Sequence, residues 1–531
     1  MSTTYGAFSL IPPLLAIVLA IITRRAILSL FVGVWAGGVI YTGSLGLGQA
    51  LIWIAESVGD PFNATLLVFL LLLGAGVSFI WKLGGAIAVT NFVADRVSSR
   101  RRVPIATWLL GVTLFFSDYG NTAIVGTSMK DISDQMRVSR EKLSYIVDST
   151  AAPIATFGLS GWVAFQLSMI QVGYENAGIE ETAPPALVTL LGSYPYNLYS
   201  LFAFLMVGII VVTGRDYGEM LDAEQRAQRT GKVNRDGAEP LQTTEDDLGD
   251  PIEDKPMLRS FIVPIVMFVT VTILGAWWTG RGAGSLIETV GEADFVTALM
   301  WGAFMMVASG FAIGWRHGLV SLSEGMDIVI DGLKLMLTAC LILVLAWSIG
   351  TVTEELETGE YVTGLAEGVV TPELLPVVIL LTAAFIAFSI GTAFGTMAIV
   401  TPIAIPLAWE LTGSMEMVTI AVGTIFSGAV FGDHTSPISD TTILSATFTG
   451  ADHIDHVRTQ IYYAVTVAIV ASLLYLLLGY TGMTPLLLIP FGIGLLVLLV
   501  YVLSEFDARR KGIASPPESV GRASDGDDLR E

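Results

Sequence analysis

Long apolar runs recur along almost all of this 531-residue chain and constrain its fold more than any other feature. A helix needs about 20 apolar residues to cross the hydrocarbon core of a membrane. Runs of suitable length centre on 8–22, 26–41, 64–81, 143–165, 196–212, 261–278, 295–315, 334–351, 418–444, 460–479 and 485–503. They predict an all-α polytopic membrane protein. With 53% hydrophobic and 14% charged residues, the composition excludes an ordinary soluble enzyme.

Two further apolar runs are interrupted by polar residues. The run 103–116 would span only about 21 Å as a helix, and a polar turn and a second apolar piece ending near Met129 follow it. The run 374–390 breaks within 389–396 and then continues to Trp409. Each pair predicts a re-entrant hairpin, whose unwound turn must line a cavity because lipid cannot satisfy its backbone groups.

The positions of the basic residues predict the orientation. With the N-terminus outside and both hairpins returning to their side of entry, every Lys and Arg except Arg281 falls on one face. The positive-inside rule makes that face the cytoplasm. We therefore expect a multi-pass protein of the cell membrane with its C-terminus in the cytoplasm. The first run lacks a basic segment before it, so it is predicted to be a retained helix.

The chain is strongly acidic, with a net charge of −21, which excludes nucleic acid as a partner. Much of the excess lies in 214–256 and in the C-terminal tail, both predicted to be solvated and flexible. An acidic surface also suits a protein of a salty cytoplasm. The single cysteine, Cys340, excludes an internal disulfide.

Two stretches of sequence resemble each other. Residues 120–125 match 395–400, each after a Phe-Ser pair, and Asp148-Ser-Thr matches Asp433-His-Thr, each followed shortly by Pro-Ile. Each half therefore predicts a hairpin followed by a broken spanning helix. The two hairpins enter from opposite sides in the predicted topology, so the repeats are inverted. Inverted repeats with discontinuous helices are typical of secondary transporters.

These features divide the chain into seven regions. They are N-terminal helices (1–102), a first transport repeat core (103–213), an acidic cytoplasmic loop (214–258), helices leading into the second repeat (259–373), a second transport repeat core (374–450), C-terminal helices (451–503) and an acidic cytoplasmic tail (504–531).

Polar side chains collect at the predicted breaks, and nearly all of them offer oxygen. The predicted ion- and proton-binding residues are Asp433, Asp148, Asp118, Asp440, Asn121, Thr122, Ser149, Thr150, Thr396, His434, Thr435 and Ser436. Such a set suits a hard cation such as Na⁺ better than zinc or copper. No resident cofactor is expected, and Na⁺ and H⁺ are predicted to be the transported ions.

The carboxylates carry most of this prediction. A charged Asp inside a membrane is costly, so it is a functional candidate by default. Burial disfavours an ionised carboxylate, whereas a neighbouring Na⁺ favours it. One carboxylate can therefore hold a proton or a sodium ion but not both, which is the physical minimum for exchange of the two.

Structural interpretations stand beside these functional ones. Asp118 could cap the helix after the first hairpin turn, and Asp148 could lie at the membrane interface because it follows Lys142 by six residues. Serine and threonine in membrane helices often bond backbone carbonyls instead of ions. The segment Asp452–His456 has metal-ligand residue types, but a helix cap fits it better.

Three motifs resemble the NhaC-type sodium/proton antiporters of the wider ion-transporter superfamily. They are Phe116-Ser-Asp-Tyr-Gly-Asn-Thr122, Asp148-Ser-Thr-Ala-Ala-Pro153 and Phe431-Gly-Asp-His-Thr-Ser-Pro-Ile-Ser-Asp-Thr-Thr442, and the resemblance covers roughly 27–480. It implies an inner-membrane antiporter with inverted repeats, two re-entrant hairpins and homodimers, in contact with lipid and small cations. Some members of this group are expected to exchange malate, lactate or amino acids instead.

The sequence leaves three functions to compare. The first is Na⁺/H⁺ exchange, with Asp433 and Asp148 as leading carriers and Asp118 and Asp440 in support. The second is Na⁺- or H⁺-coupled exchange of a small organic anion or an amino acid. Neither repeat core contains an intramembrane Lys or Arg to bind an anion, which favours cation exchange. The third, an intramembrane aspartyl protease, does not explain the repeat, so we predict a transporter and not an enzyme.

Overall fold

The computed structural model describes residues 5–23, 25–94, 96–97, 99–240, 256–281, 289, 293–358, 361 and 370–513. All the regular elements in these ranges are helices. After a 3₁₀-helix at Gly6–Leu10, the first half contains α1 (Ile11–Thr23), α2 (Ala26–Thr42), α3 (Leu47–Gly59), α4 (Pro61–Lys82), α5 (Gly85–Ala94), α6 (Arg102–Thr113), α7 (Asp118–Gln135), α8 (Arg140–Ala155), α9 (Gly161–Asn176), α10 (Ala186–Ser193), α11 (Leu198–Thr213) and α12 (Glu219–Thr230). The second half contains α13 (Leu258–Thr279), α14 (Phe295–Arg316), α15 (Leu322–Glu355), α16 (Leu375–Ile390), α17 (Ala393–Thr412), α18 (Met415–Thr435), α19 (Asp440–Thr449), α20 (His453–Thr481) and α21 (Pro485–Lys511).

Eight helices of the described ranges, α4, α13, α14, α15, α17, α18, α20 and α21, are long and apolar enough to cross a membrane. The number rises to ten if each of two bent pairs counts as one span, α2 with α3 and α10 with α11. The sequence predicted no helix at Leu47–Gly59. This helix lies at 119° to α2 and buries Trp53 on one face. The prediction of an all-α polytopic membrane protein is confirmed.

The two predicted hairpins each form a pair of helices in mutual contact, α6 with α7 and α16 with α17. Ser117 caps α7, because its side chain accepts a hydrogen bond from the Gly120 N–H. Gly391 ends α16 with φ +71°, and a Cβ there would lie 2.6 Å from the Ile438 carbonyl oxygen. Glycine satisfies both requirements. Re-entry of either pair on one side of the membrane stays a prediction.

Both predicted broken spans are discontinuous. The run 143–165 divides into α8 and α9, and the run 418–444 divides into α18 and α19. The first break follows Ala155, so Asp148 and its two successors lie within a regular helix and not in the unwound turn expected for them. Local polarity did not locate this break, which ends where the Ser160 side chain caps α9.

The two halves pack reciprocally. Helix α9 of the first half lies against α17 of the second, and α19 of the second half lies against α7 of the first. Each broken span therefore places its second piece on the hairpin of the other half. This exchange is the arrangement expected of two repeats related by a pseudo-twofold axis.

The acidic segment after α11 is not simply solvated, contrary to our expectation for 214–256. Residues up to 240 are described, and they include α12, whose apolar side packs on α8 and α20. Asp216 and Glu224 are only 1% and 2% exposed. The prediction failed because charge composition does not show that a partner lies in another helix. The rest of the segment, 241–255, and the tail beyond 513 lie outside the described residues.

Buried ion pairs hold this segment in place. Lys142 Nζ lies 2.7 Å from Asp216 Oδ2, and Arg100 Nη2 lies 2.5 Å from Glu224 Oε2. Burial raises the pKa of Asp216 even though Lys142 opposes the shift. Burial would also raise the pKa of Glu224, but Lys142 and Arg100 together lower it below its usual range. Arg235 adds a pair with Asp455 at 2.6 Å, so the segment joins the N-terminal ends of α8 and α20.

Candidate functional site

Asp148 is a fully buried carboxylate where α8, α19 and α20 meet. Its Oδ1 accepts a hydrogen bond from Ser445 Oγ at 3.2 Å. Its Oδ2 accepts one from Gln460 Nε2 at 2.7 Å and lies 3.4 Å from Thr442 Oγ1 and 3.3 Å from His456 Nε2. Its side chain is 0% exposed, so protein encloses it, whereas its depth in the membrane stays a prediction.

Asp433 lies at the last turn of α18, beside the break that leads into α19. Its carboxylate accepts hydrogen bonds from Ser439 Oγ at 2.9 Å and Thr441 Oγ1 at 3.1 Å. Ser439 is also the N-cap of α19. Two hydroxyls from the N-terminus of α19 therefore contact this buried carboxylate.

A single hydroxyl connects the two aspartates. Thr442 Oγ1 lies 3.4 Å from the Asp433 carbonyl oxygen and 3.4 Å from Asp148 Oδ2. His434 Nε2 lies 3.8 Å from the same Asp148 oxygen. The structure therefore brings the residues around Asp148 and Asp433 into one buried network.

His434 joins three helices within this network. Its Nδ1 lies 2.8 Å from the Tyr199 hydroxyl of α11, and its Nε2 lies 2.9 Å from Ser149 Oγ of α8. A ring held by hydrogen bonds on both nitrogens has a fixed orientation. Ser149 and His434, both predicted from sequence, thus contact each other across the two repeats.

Asp118 and Asn121 have structural partners at the first hairpin. Asp118 begins α7, after the Ser117 cap, and accepts hydrogen bonds from Trp162 Nε1 and the Tyr119 N–H, each at 2.9 Å. Asn121 Nδ2 donates to the carbonyl oxygens of Gly111 and Thr150. Asn121 thereby fastens the hairpin to α8.

The other predicted hydroxyls bond the backbone. Four threonines bond a carbonyl one turn earlier in the chain, and one serine bonds the neighbouring helix α16; these are Thr122 to Tyr119, Thr150 to Ile146, Thr396 to Thr392, Thr435 to Phe431 and Ser436 to Phe388. These bonds agree with the alternative in which serine and threonine hydroxyls bond backbone carbonyls instead of an ion. Asp440 begins α19, but its side chain lies outside the described part of the chain.

Sequence reasoning missed His456 and Gln460, which both contact Asp148. The helix-cap interpretation is confirmed for Asp452, whose side chain accepts from the Asp455 N–H at 3.0 Å. The helix-cap interpretation did not predict that the side chain of His456 is buried, with 0% of its surface exposed. One signal was present: His456 and Gln460 are four residues apart, so they share one face of α20 just before its long apolar run.

The donor set of this network is rich in oxygen. Within the described ranges, the contacts of Asp148 are to hydroxyls, one carboxamide and two imidazoles, with no Lys or Arg among them. Hydroxyls donate to a free carboxylate but also offer lone pairs to a cation. The arrangement can therefore exchange a small hard cation for a proton on a carboxylate.

The chain matches the model of the Na⁺/H⁺ antiporter family over residues 154–480. An uncharacterised protein of Haemophilus influenzae is 32% identical over 492 residues, covering 90% of this chain and 91% of the relative. The Na⁺/H⁺ antiporter NhaC of Alkalihalophilus pseudofirmus is 29% identical over 34% of this chain and 38% of its own length. The fold is similar to that of the YdaH transporter of Alcanivorax borkumensis, with a TM-score of 0.55 and 14% identity over 83% of this chain and 90% of that chain.

Proposed function

Because the chain belongs to the Na⁺/H⁺ antiporter family, of the NhaC type, we propose that it exchanges Na⁺ for H⁺ across the cell membrane at Asp148 and Asp433. The observation that carries this assignment is the buried network around Asp148. Its carboxylate contacts hydroxyls, one carboxamide and two imidazoles, and it is linked through Thr442 to the carbonyl of Asp433. A carboxylate that no Lys or Arg of the described residues contacts is free to take a proton or a cation.

The chemistry of exchange follows from competition at these oxygens. A proton on Asp148 or Asp433 removes the negative charge that holds Na⁺, and bound Na⁺ disfavours protonation. The hydroxyls of Ser439, Thr441 and Thr442 reorient to present lone pairs when a cation replaces a proton. Ion and proton therefore bind alternately, and each turnover moves them in opposite directions.

The positive-inside rule supports the orientation proposed for this exchange. Arg100, Lys142 and Arg235 form ion pairs where the α12 segment joins α8 and α20, and we assign that side to the cytoplasm. The N-terminus is then outside and the C-terminal end of α21 is cytoplasmic. This orientation places the ion-paired α12 segment next to the cytoplasmic ends of the helices that hold Asp148.

The test uses everted membrane vesicles acidified inside by respiration and loaded with a fluorescent pH probe. NaCl, KCl, malate and amino acids are added in turn, with vesicles lacking the protein as the blank. We expect NaCl to release protons from vesicles with the wild-type protein. Asp148→Asn and Asp433→Asn are expected to abolish this release, because each removes an ionisable carboxylate without changing its size.

The control is Asp331→Asn, which removes an exposed carboxylate paired with Lys334 at 2.8 Å. It is expected to leave the sodium response unchanged. A sodium response that survives Asp433→Asn and Asp148→Asn would reject these residues as carriers. A response to malate or an amino acid, with none to NaCl, would replace Na⁺/H⁺ exchange by the second function considered from the sequence.

A further inference from the structure

The carboxamide of Gln460 lies at the point where two acceptors of the site converge. Its Nε2 donates to Asp148 Oδ2 at 2.7 Å and to the His434 carbonyl oxygen at 2.5 Å. The side chain is only 1% exposed. Its other terminal atom, Oε1, is buried and has no hydrogen-bond partner within the described residues.

This arrangement is unbalanced. A carboxamide has two N–H donors and one acceptor oxygen, and here both donors are used while the oxygen is orphaned. A buried acceptor without a partner is costly. The carboxamide nevertheless keeps this orientation, because Asp148 Oδ2 and the His434 carbonyl oxygen both need a hydrogen-bond donor. The reverse orientation would place Oε1 beside the Asp148 carboxylate and the His434 carbonyl, and three oxygens would repel one another.

A cation between these oxygens would remove that repulsion. The amide nitrogen occupies a position 2.5 to 2.7 Å from two oxygens, close to the ~2.3–2.6 Å at which hard cations bind oxygen ligands. Thr442 Oγ1 approaches the same Asp148 oxygen at 3.4 Å. The two oxygens therefore converge on one point, as the ligands of a cation do.

We propose that Gln460 is a sodium ligand that changes orientation with occupancy, an inference that rests on the proposed exchange. In the structure its NH₂ group donates to Asp148 and to the His434 carbonyl. When Na⁺ binds between those two oxygens, the side chain withdraws and turns, so that Oε1 faces the ion as a third oxygen ligand. Gln460 then determines how tightly Na⁺ binds, whereas Asp148 carries the charge.

The experiment measures sodium exchange by Gln460→Met in the everted vesicles. Methionine has a similar length but offers the cation only a weak thioether acceptor. We expect the apparent KM for Na⁺ to rise at least about tenfold while the maximal rate stays within about threefold of wild type, because the substitution removes a ligand and leaves the carboxylates. Gln460→Glu retains an oxygen ligand and is expected to bring the KM back toward the wild-type value.

The matched control is Gln166→Met. Gln166 is another buried glutamine, 0% exposed, and it donates to Thr401 at 3.4 Å in the contact between α9 and α17. We expect its KM for Na⁺ to stay within about threefold of wild type. An equal rise in KM for Gln166→Met and Gln460→Met would overturn the inference, as would an unchanged KM for Gln460→Met.

A second measurement separates this inference from the proposed function. Thermal stabilisation of the purified protein by NaCl, compared with choline chloride, reports Na⁺ binding without proton exchange. Wild-type protein that is stabilised by NaCl but exchanges no protons would reject the proposed function alone. Should Gln460→Met give too little protein for transport, equal stabilisation of Gln460→Glu and Gln460→Leu by NaCl would reject the inference.

Discussion

The buried pair between Lys142 and Asp216 is expected to hold α12 against the body of the protein. Their side chains are 5% and 1% exposed, and Tyr463 also donates to Asp216 at 2.8 Å. Removing one partner of a buried pair costs about 3–5 kcal/mol, because the other charge is left uncompensated. Glu224 lies 3.7 Å from Lys142 and continues to compensate it, so the lower end applies to Asp216→Asn.

Hydrogen exchange of the α12 amides in detergent measures this cost directly. If α12 opens as a local unit, a loss of about 3 kcal/mol accelerates exchange about 100-fold, at about 1.4 kcal/mol per factor of ten. The control is Asp236→Asn in the same segment. Lys232 and Asp236 form a pair whose side chains are 54% and 83% exposed, and such exposed pairs contribute little to stability.

The double variant Lys142→Gln with Asp216→Asn adds a second check. Because it removes both charges, its exchange rate should lie closer to wild type than that of Asp216→Asn alone. The reasoning is refuted if Asp216→Asn accelerates α12 exchange no more than Asp236→Asn does. Equal acceleration would mean that apolar packing, and not the buried pair, holds the helix.

One further prediction concerns stability. Gly432→Ala would place a Cβ 2.4 Å from the Ala384 carbonyl oxygen and should cost about 1–3 kcal/mol, seen as a lower Tm. Gly48→Ala, where a Cβ meets nothing within 4 Å, is the control and should leave the Tm unchanged or raise it, and similar Tm values for the two variants would exclude a steric effect.

The membrane class and the approximate helix positions followed from the sequence, because hydropathy is a property of consecutive residues. The hairpin turns also had local signals, since short apolar runs end at polar turns such as the one before Asp118. The choice of Asp148 and Asp433 as candidate carriers followed from the cost of placing a carboxylate in an apolar run. Each of these inferences needed only a window of consecutive residues.

Only the tertiary structure shows which residues contact these buried side chains. His456 and Gln460 contact Asp148 from 308 and 312 residues away in the chain, and Glu224 and Asp216 are buried only because Arg100 and Lys142 meet them. A charged or polar side chain can be solvated or buried with equal plausibility until its neighbour in space is known. That neighbour is set by how whole helices pack, and no window of consecutive residues contains this information.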